Sequence, residues 1–372
     1  ETLALMGKDT KRHRVAVALS GGVDSSTAAA LLVRQGYDVT GVMMRLWATR
    51  YQGEFAENRC CSPAAIADAR RVCAVLGIPF HLLNLEEEFK AQVVDYFCDT
   101  YALGRTPNPC LACNRYIKFD ALLRLARGFG AEFLATGHYA RIRPCNGEYQ
   151  LLKGIDRDKD QSYVLYMLGQ QELPHLIFPL GGYTKLEVRA MAAQHSLPMA
   201  DKPESQDACF VSSGDYRAFL AQERPETACP GPILDLQRRT LGQHRGVAFY
   251  TVGQRQGLGV ASPHPLYVVE IDAARNALIV GPKAAVFRRK LLAEQVSFVD
   301  GKPPPQPVPI AAKIRYRAKE APAQLTPLPR RMAEVVFAEP QPAITPGQAV
   351  VFYQQDLVLG GGIIASAGPV EV

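Results

Sequence analysis

Long hydrophobic runs are missing from this sequence of 372 residues. No stretch approaches the roughly 18 apolar residues of a membrane span, so no membrane association is expected. The first residues, ETLALMGKDTKRHR, carry basic side chains with no apolar core behind them, and no secretory leader is expected. Paired cysteine spacing is lacking too. The nine cysteines, at 60, 61, 73, 98, 110, 113, 145, 209 and 229, are odd in number and irregular in spacing. That argues against a secreted disulfide framework and for a reducing, cytoplasmic setting. There is no internal repeat and no low-complexity tail. Charge imbalance is small, with 42 Lys+Arg against 36 Asp+Glu for a net +6. The excess is local. From Lys283 onward eleven Lys/Arg face seven Asp/Glu, concentrated in RRK (288–290) and KIRYRAK (313–319). Such runs suit a solvated surface or a polyanionic partner.

What is present reads as globular. Hydrophobic residues make up 48% and charged residues 21%, and the length predicts two or three domains. The first 140 residues alternate. RVAVAL (14–19), DVTGVMMRLW (38–47), PFHLLNL (79–85) and AEFLATGHYA (131–140) read as strands. DSSTAAALLVRQG (24–36), SPAAIADARRVCAVLG (62–77), EEFKAQVVDYFCDTYALG and KFDALLRLARGFG (118–130) read as helices. Alternation of this kind predicts an α/β domain built on a parallel sheet, with ligands at the carboxyl ends of its strands. TPNPCLACNRYIKF (106–119) reads as a loop between two helices. After about 230 the chain turns rich in Gly and Pro. VAFYTVG, PLYVVEI and NALIVG, then AAKIRYRA, RMAEVVFA, QAVVFYQ and LVLGGGIIASA, predict short strands, the last four in an antiparallel β-barrel. The expected domains are 1–215 (nucleotide-binding, catalytic), 216–282 (small, mixed or β) and 283–372 (barrel).

The sharpest local signal is ALSGGVDSS (18–26). A buried strand ends at Ala18–Leu19, and Ser20, Gly21 and Gly22 turn the chain. Val23 follows, and a helix then starts near Asp24, with Ser25 and Ser26 next. Glycines let backbone N–H groups approach an anion, and the new helix adds its unpaired donors and positive dipole end. No G-x-x-x-x-G-K-[ST] is present, so this is not a Walker loop. A carboxylate at Asp24 would repel bare phosphate, which points to a bridging Mg²⁺.

SGGVDSS resembles the loop of the PP-loop ATP pyrophosphatases, whose domain is of the adenine nucleotide alpha hydrolase type. Further blocks narrow the resemblance: GVMMRLW (41–47), GRTPNPC with CN and IKF (104–119), ATGHYAR (135–141), KDQSYVLY (159–166) and FPLG (178–181). ACF (208–210), TVGQRQGLG (251–259), IRYR (314–317), ITPGQAVVFY (344–353) and LGGGII (359–364) follow in order. Together they resemble the bacterial tRNA-specific 2-thiouridylases over nearly the whole chain. The resemblance implies ATP-dependent adenylation of C2 of uridine 34 in the tRNA anticodon, then sulfur transfer to give 2-thiouridine. It implies a persulfide on Cys209 and an attack by Cys113 that leaves a Cys113–Cys209 disulfide to be reduced. Arg115 and Lys118 flank the cysteines and suit activation of a thiol.

The same resemblance places Met44 beside adenine and the Gly137 backbone on the nucleotide. It puts Asn108, Pro109 and Cys110 at the target base and His138 between ATP and RNA. Lys159, Asp160, Gln161, Arg315, Tyr316 and Gln348 are placed on the tRNA. The implied isoacceptors are those for Lys, Glu and Gln. The implied sulfur source is a cysteine desulfurase or sulfur-relay protein. Many relatives carry Asp where this chain has Cys110, which puts an acid/base role there in doubt. Three thiols, Cys110, Cys113 and Cys209, offer an alternative sulfur chemistry on a 4Fe–4S cluster with one open iron. An ATP-dependent small-molecule ligase or amidotransferase, and a non-catalytic RNA-binding metalloprotein, are the competing classes. Cys73 and Cys98 are expected to be buried fillers, and Cys60, Cys61 and Cys145 structural.

Overall fold

The computed structural model describes residues 13–48, 50–51, 54–55, 61–195, 197, 209–211 and 215–369. Its first sheet has five parallel strands in the order Phe80–Asn84, β2 (Asp38–Arg45), β1 (Arg14–Leu19), Phe133–Ala135 and Leu176–Ile177. β1 is buried on both faces, with Val15, Val17 and Leu19 almost wholly excluded from solvent. Such strands read as unbroken apolar runs because helices cover both sides. Helix α1 (Val23–Arg34) packs its buried run Ala28–Leu32 on the sheet, and α2 (Pro63–Leu76) starts at a Ser62 cap and stops at left-handed Gly77. From β1 the chain passes to β2 on one side, while the strand Phe133–Ala135 flanks β1 on the other. The strand order therefore reverses beside β1, and a crevice opens at the carboxyl ends of β1 and Phe133–Ala135.

The long helix read from EEFKAQVVDYFCDTYALG spans Glu86–Ala102, with a π-helical turn at Lys90–Asp95. The next segment corrects the sequence reading. Most of TPNPCLACNRYIKF is helix, running from Pro109 through a π-helical stretch at Cys113–Leu122 to Gly128. Asn108 caps it, accepting from the Cys110 N–H at 3.1 Å, and Pro109 occupies the first turn, where a missing N–H costs nothing.

A hairpin absent from the sequence reading, Ala140–Cys145 with Glu148–Lys153, leaves the parallel domain and joins the barrel's sheet through Leu152 opposite Leu357. The barrel is closed. Strands Phe287–Phe298, Met332–Pro342, Ala321–Leu328, Val308–Lys313, Ala349–Gln354 and Leu357–Ala367 pair antiparallel in that order, and the first and last pair with each other. Between the two domains lies a four-stranded sheet of Thr240–His244, Gly231–Leu234, Ala277–Gly281 and Tyr267–Asp272. One expected strand opens as a turn, and another is shorter than expected. Val247–Phe249 is a short 3₁₀ turn with all three side chains buried, so its apolar run fills a junction rather than alternating across a sheet. The strand read from AAKIRYRA ends at Lys313, and the Arg315 guanidinium folds back onto the Pro342 and Ala343 carbonyls.

Candidate active site

The turn after β1 is shaped by steric exclusion. Gly21 has φ +70°, and a Cβ there would lie 2.7 Å from the Ala65 carbonyl at the start of α2. Ser25 Oγ accepts from the Ser20 N–H at 3.2 Å and lies 3.3 Å from Ser20 Oγ. Ser25 and Ser26 hydroxyls both donate to the Gly22 carbonyl, at 3.2 and 2.8 Å. These bonds hold the turn open while the first N–H groups of α1 have no intrahelical acceptor. Gly137 closes the other side. Its Cβ position would lie 2.8 Å from the Ser25 nitrogen and 2.9 Å from the Asp24 carbonyl carbon, so only glycine lets the two backbones meet. Met44 is half-buried near the end of β2, against the main core.

Sequence reasoning missed the partners of Asp24. Lys185 Nζ donates to both carboxylate oxygens at 2.7 and 2.8 Å, and the Tyr139 hydroxyl donates to one at 2.8 Å. Lys185 is buried and opens a helix, Lys185–Gln194, fixed by a Thr184–Glu187 capping box. The string TKLE carried that cap signal. Asp24 therefore stands beside the glycine turn with its charge balanced by Lys185. Its side chain remains 31% exposed, and one carboxylate with phosphate oxygens is the sparse ligand set that Mg²⁺ accepts.

His138 follows Gly137 and is buried, its Nδ1 2.6 Å from Thr136 Oγ1. Burial, with the nearby Lys118 ammonium adding to it, holds the imidazole well below its ordinary pKa of 6.5. The ring is therefore neutral at pH 7. It packs against Phe119 at 5.7 Å and Phe178 at 5.9 Å. Phe119 and Lys118 belong to the cysteine helix, so His138 joins that helix to the glycine turn. Asn114, one residue past Cys113, is buried and donates to the Val164 carbonyl at 2.9 Å. This bond fixes the helix where the thiols emerge.

Cys110 is exposed and Cys113 half-buried, three apart on one helix. Cys209 is half-buried. It and Cys113 lie against the same core cluster, whose members include Phe89 and Phe97 of helix Glu86–Ala102. Phe210 pins the Cys209 segment there, with ring contacts to Phe89, Phe97 and Phe219 at 5.2–5.8 Å. Among the described residues no three His, Cys, Asp or Glu side chains assemble as a metal site. The relatives reported below do not favour the cluster alternative, and no step is routed through one. Burial pushes the Cys73 thiol up to about 11 and Cys98 to about 12, as suits inert fillers. Cys61 Sγ exchanges hydrogen bonds with the Leu46 backbone. Cys60 lies outside the described residues.

The residues expected on RNA divide. Asp160 is buried and its carboxylate accepts from the Gly154 and Ser162 N–H groups and the Ser162 hydroxyl at 2.8–3.1 Å, which is a structural use. Gln161 Oε1 accepts from the Tyr139 N–H at 3.0 Å. Lys159 is partly exposed, and Tyr316 is 37% exposed with its ring 5.8 Å from the Lys313 ammonium. The Gln348 amide donates to the Thr106 and Pro107 carbonyls at 3.1 and 3.0 Å, within the chain itself.

Three family profiles match in succession: "tRNA methyl transferase HUP domain" over residues 13–213, "tRNA methyl transferase PRC-barrel domain" over 217–282 and "Aminomethyltransferase beta-barrel domain" over 288–364. Curated relatives match along nearly the whole chain. The protein named tRNA-specific 2-thiouridylase MnmA in Roseiflexus sp. (strain RS-1) is 53% identical, with 95% of this chain and 99% of that protein covered. Its namesake in Chloroflexus aurantiacus is 54% identical over 94% and 98%, and that in Moorella thermoacetica 52% over 95% and 100%. With the glycine turn, the cysteine helix and the closed barrel in one chain, the protein belongs to the tRNA-specific 2-thiouridylase family.

Proposed function

We propose that this protein is a cytoplasmic tRNA-uridine 2-sulfurtransferase that converts uridine 34 of the anticodon to 2-thiouridine at the expense of ATP. The juxtaposition that supports this reading is linear. Ser20–Ser26 meet Gly137, His138 follows, and His138 packs on the helix that bears Cys110 and Cys113. A nucleotide phosphate and a soft nucleophile are thereby served by adjoining elements.

The turn holds the phosphates on Ser20–Ser25 and the N-terminus of α1, with adenine toward Met44. Mg²⁺ brought in with ATP would be held by Asp24 and would neutralise phosphate charge. The uridine O2 attacks the α-phosphorus and pyrophosphate leaves, which turns a poor leaving oxygen into a good one. The outer sulfur of a Cys209 persulfide attacks C2 and AMP departs. The Cys113 thiolate then attacks Cys209 Sγ, which releases the thiocarbonyl and leaves a Cys113–Cys209 disulfide for an external reductant. A cysteine desulfurase or relay protein reloads Cys209. Asn108, Pro109 and Cys110 face the base. His138, neutral and buried, can exchange hydrogen bonds without adding charge. Lys159, Gln161 and Tyr316 offer cationic, polar and stacking contacts to the tRNA, with the isoacceptors for Lys, Glu and Gln as substrates. Pyrophosphate release from ATP, measured with and without unmodified tRNA, tests the reading. Release that tRNA does not stimulate would mark a small-molecule ligase instead.

A further inference from the structure

The segment just before the candidate base-facing residues is held by the other two parts of the molecule. The Thr106 N–H donates to the Pro346 carbonyl at 2.9 Å. The Gln348 Nε2 donates to the Thr106 and Pro107 carbonyls. Both partners are acceptors, so the amide nitrogen must face them and both its hydrogens are committed. Gly347 lies flat on Thr106. A Cβ there would lie 2.7 Å from the Thr106 carbonyl oxygen and 2.9 Å from its nitrogen, and φ is +93°. Thr106 Oγ1 also donates to Thr251 Oγ1 in the central part at 3.2 Å. Arg105 pairs with Glu294 at 2.8 Å and donates to the Ala365 carbonyl at 3.3 Å, both in the barrel. These contacts end where Asn108 caps the cysteine helix.

We propose that Gln348 is a positioning residue: from the barrel loop 344–348 it fixes the Thr106–Pro107 turn and so sets where the cysteine helix begins. The barrel then contributes to sulfur transfer through the placement of Cys110 and Cys113, besides any contact with RNA. This rests on the sulfurtransferase reading for its catalytic half only. The structural half concerns the free protein.

Two variants test it. Gln348→Glu keeps size but has no hydrogen to give two carbonyls, and Gly347→Ala drives a methyl into Thr106. Each is compared with the parent protein in three measurements: amide hydrogen exchange of the 105–116 peptide without tRNA, the tRNA dissociation constant, and the single-turnover thiolation rate at saturating tRNA. Loss of the two bonds is expected to speed exchange in that peptide about tenfold and to slow thiolation about tenfold. For Gly347→Ala, which adds no charge, the tRNA dissociation constant should stay within about twofold. Unchanged exchange in both variants overturns the proposal. So does a parental rate at saturating tRNA combined with weakened tRNA binding, which would make Gln348 an RNA contact. A parent that fails to thiolate any tRNA would sink the functional reading, while the exchange result would still decide the staple.

Discussion

Asp24 and Lys185 show how much a single contact changes a residue's meaning. The sequence puts a carboxylate beside a phosphate turn, where it should repel the ligand. The fold answers with a buried ammonium 161 positions later. Asp24→Ala would leave that ammonium buried without its partner, so a loss of about 2 kcal/mol is expected, reduced because Asp24 is partly exposed. Pyrophosphate release should stop in the same variant, and undiminished release would remove Asp24 from the reaction. His138 makes a pH prediction. Its folded pKa is depressed below 6.5 by burial, so below that pH the unfolded chain takes a proton that the folded chain refuses. Stability should therefore fall as pH drops below about 6.5, by up to about 1.4 kcal/mol per unit from this residue. His138→Gln should flatten the slope of denaturation midpoint against pH in that range. An identical slope would place the proton elsewhere. Cys73 and Cys98 should resist iodoacetamide in the native protein while Cys110 and Cys229 react, since only the latter two are exposed.

Elements were legible where their ends carry chemistry. β1 spans the residues read from RVAVAL, and α2 runs from its serine cap to Gly77 as its string implied. The parallel sheet followed from alternation. The cysteine helix was missed because TPNP reads as a break, and the break is real but short. Asn108 and Pro109 are a cap and a first helical position, a helix start rather than a loop. Asn108→Ala should cost about 1 kcal/mol, read as a lower denaturation midpoint; no shift would mean that the cap is not stabilising. The π-helical stretch from Cys113 has no local signal in the sequence. The hairpin Ala140–Cys145/Glu148–Lys153 did carry one. Asn146 and Gly147, with φ +52° and +82°, are the two-residue turn that joins twisted strands. Proline hid the strand Ala321–Leu328 and the first residues of Val308–Lys313, yet a barrel strand tolerates it where no ladder N–H is needed.

At the scale of the molecule, domain types could be read from composition and collinear motifs, but their joints could not. Thr106 meets Gln348 across 242 positions, and no pattern in either string announces it. The hairpin's Lys153 is buried, pairs with Glu320 at 2.6 Å, donates to the Gln355 carbonyl at 2.7 Å and lies 4.4 Å from the Tyr353 ring centroid. Arg141 and Arg157 share Asp356 nearby. Removing one partner of such a buried pair costs about 3 kcal/mol. Lys153→Met should therefore lower the unfolding midpoint clearly. A parental midpoint would mean that the hairpin does not bind the barrel to the first domain.

In the proposed reaction one site activates uridine with ATP and delivers sulfur from Cys209. Its most direct test is Cys209→Ser assayed with ATP and unmodified tRNA, following pyrophosphate and 2-thiouridine together. The account predicts tRNA-stimulated pyrophosphate release with no 2-thiouridine formed. Normal 2-thiouridine formation by that variant would contradict it.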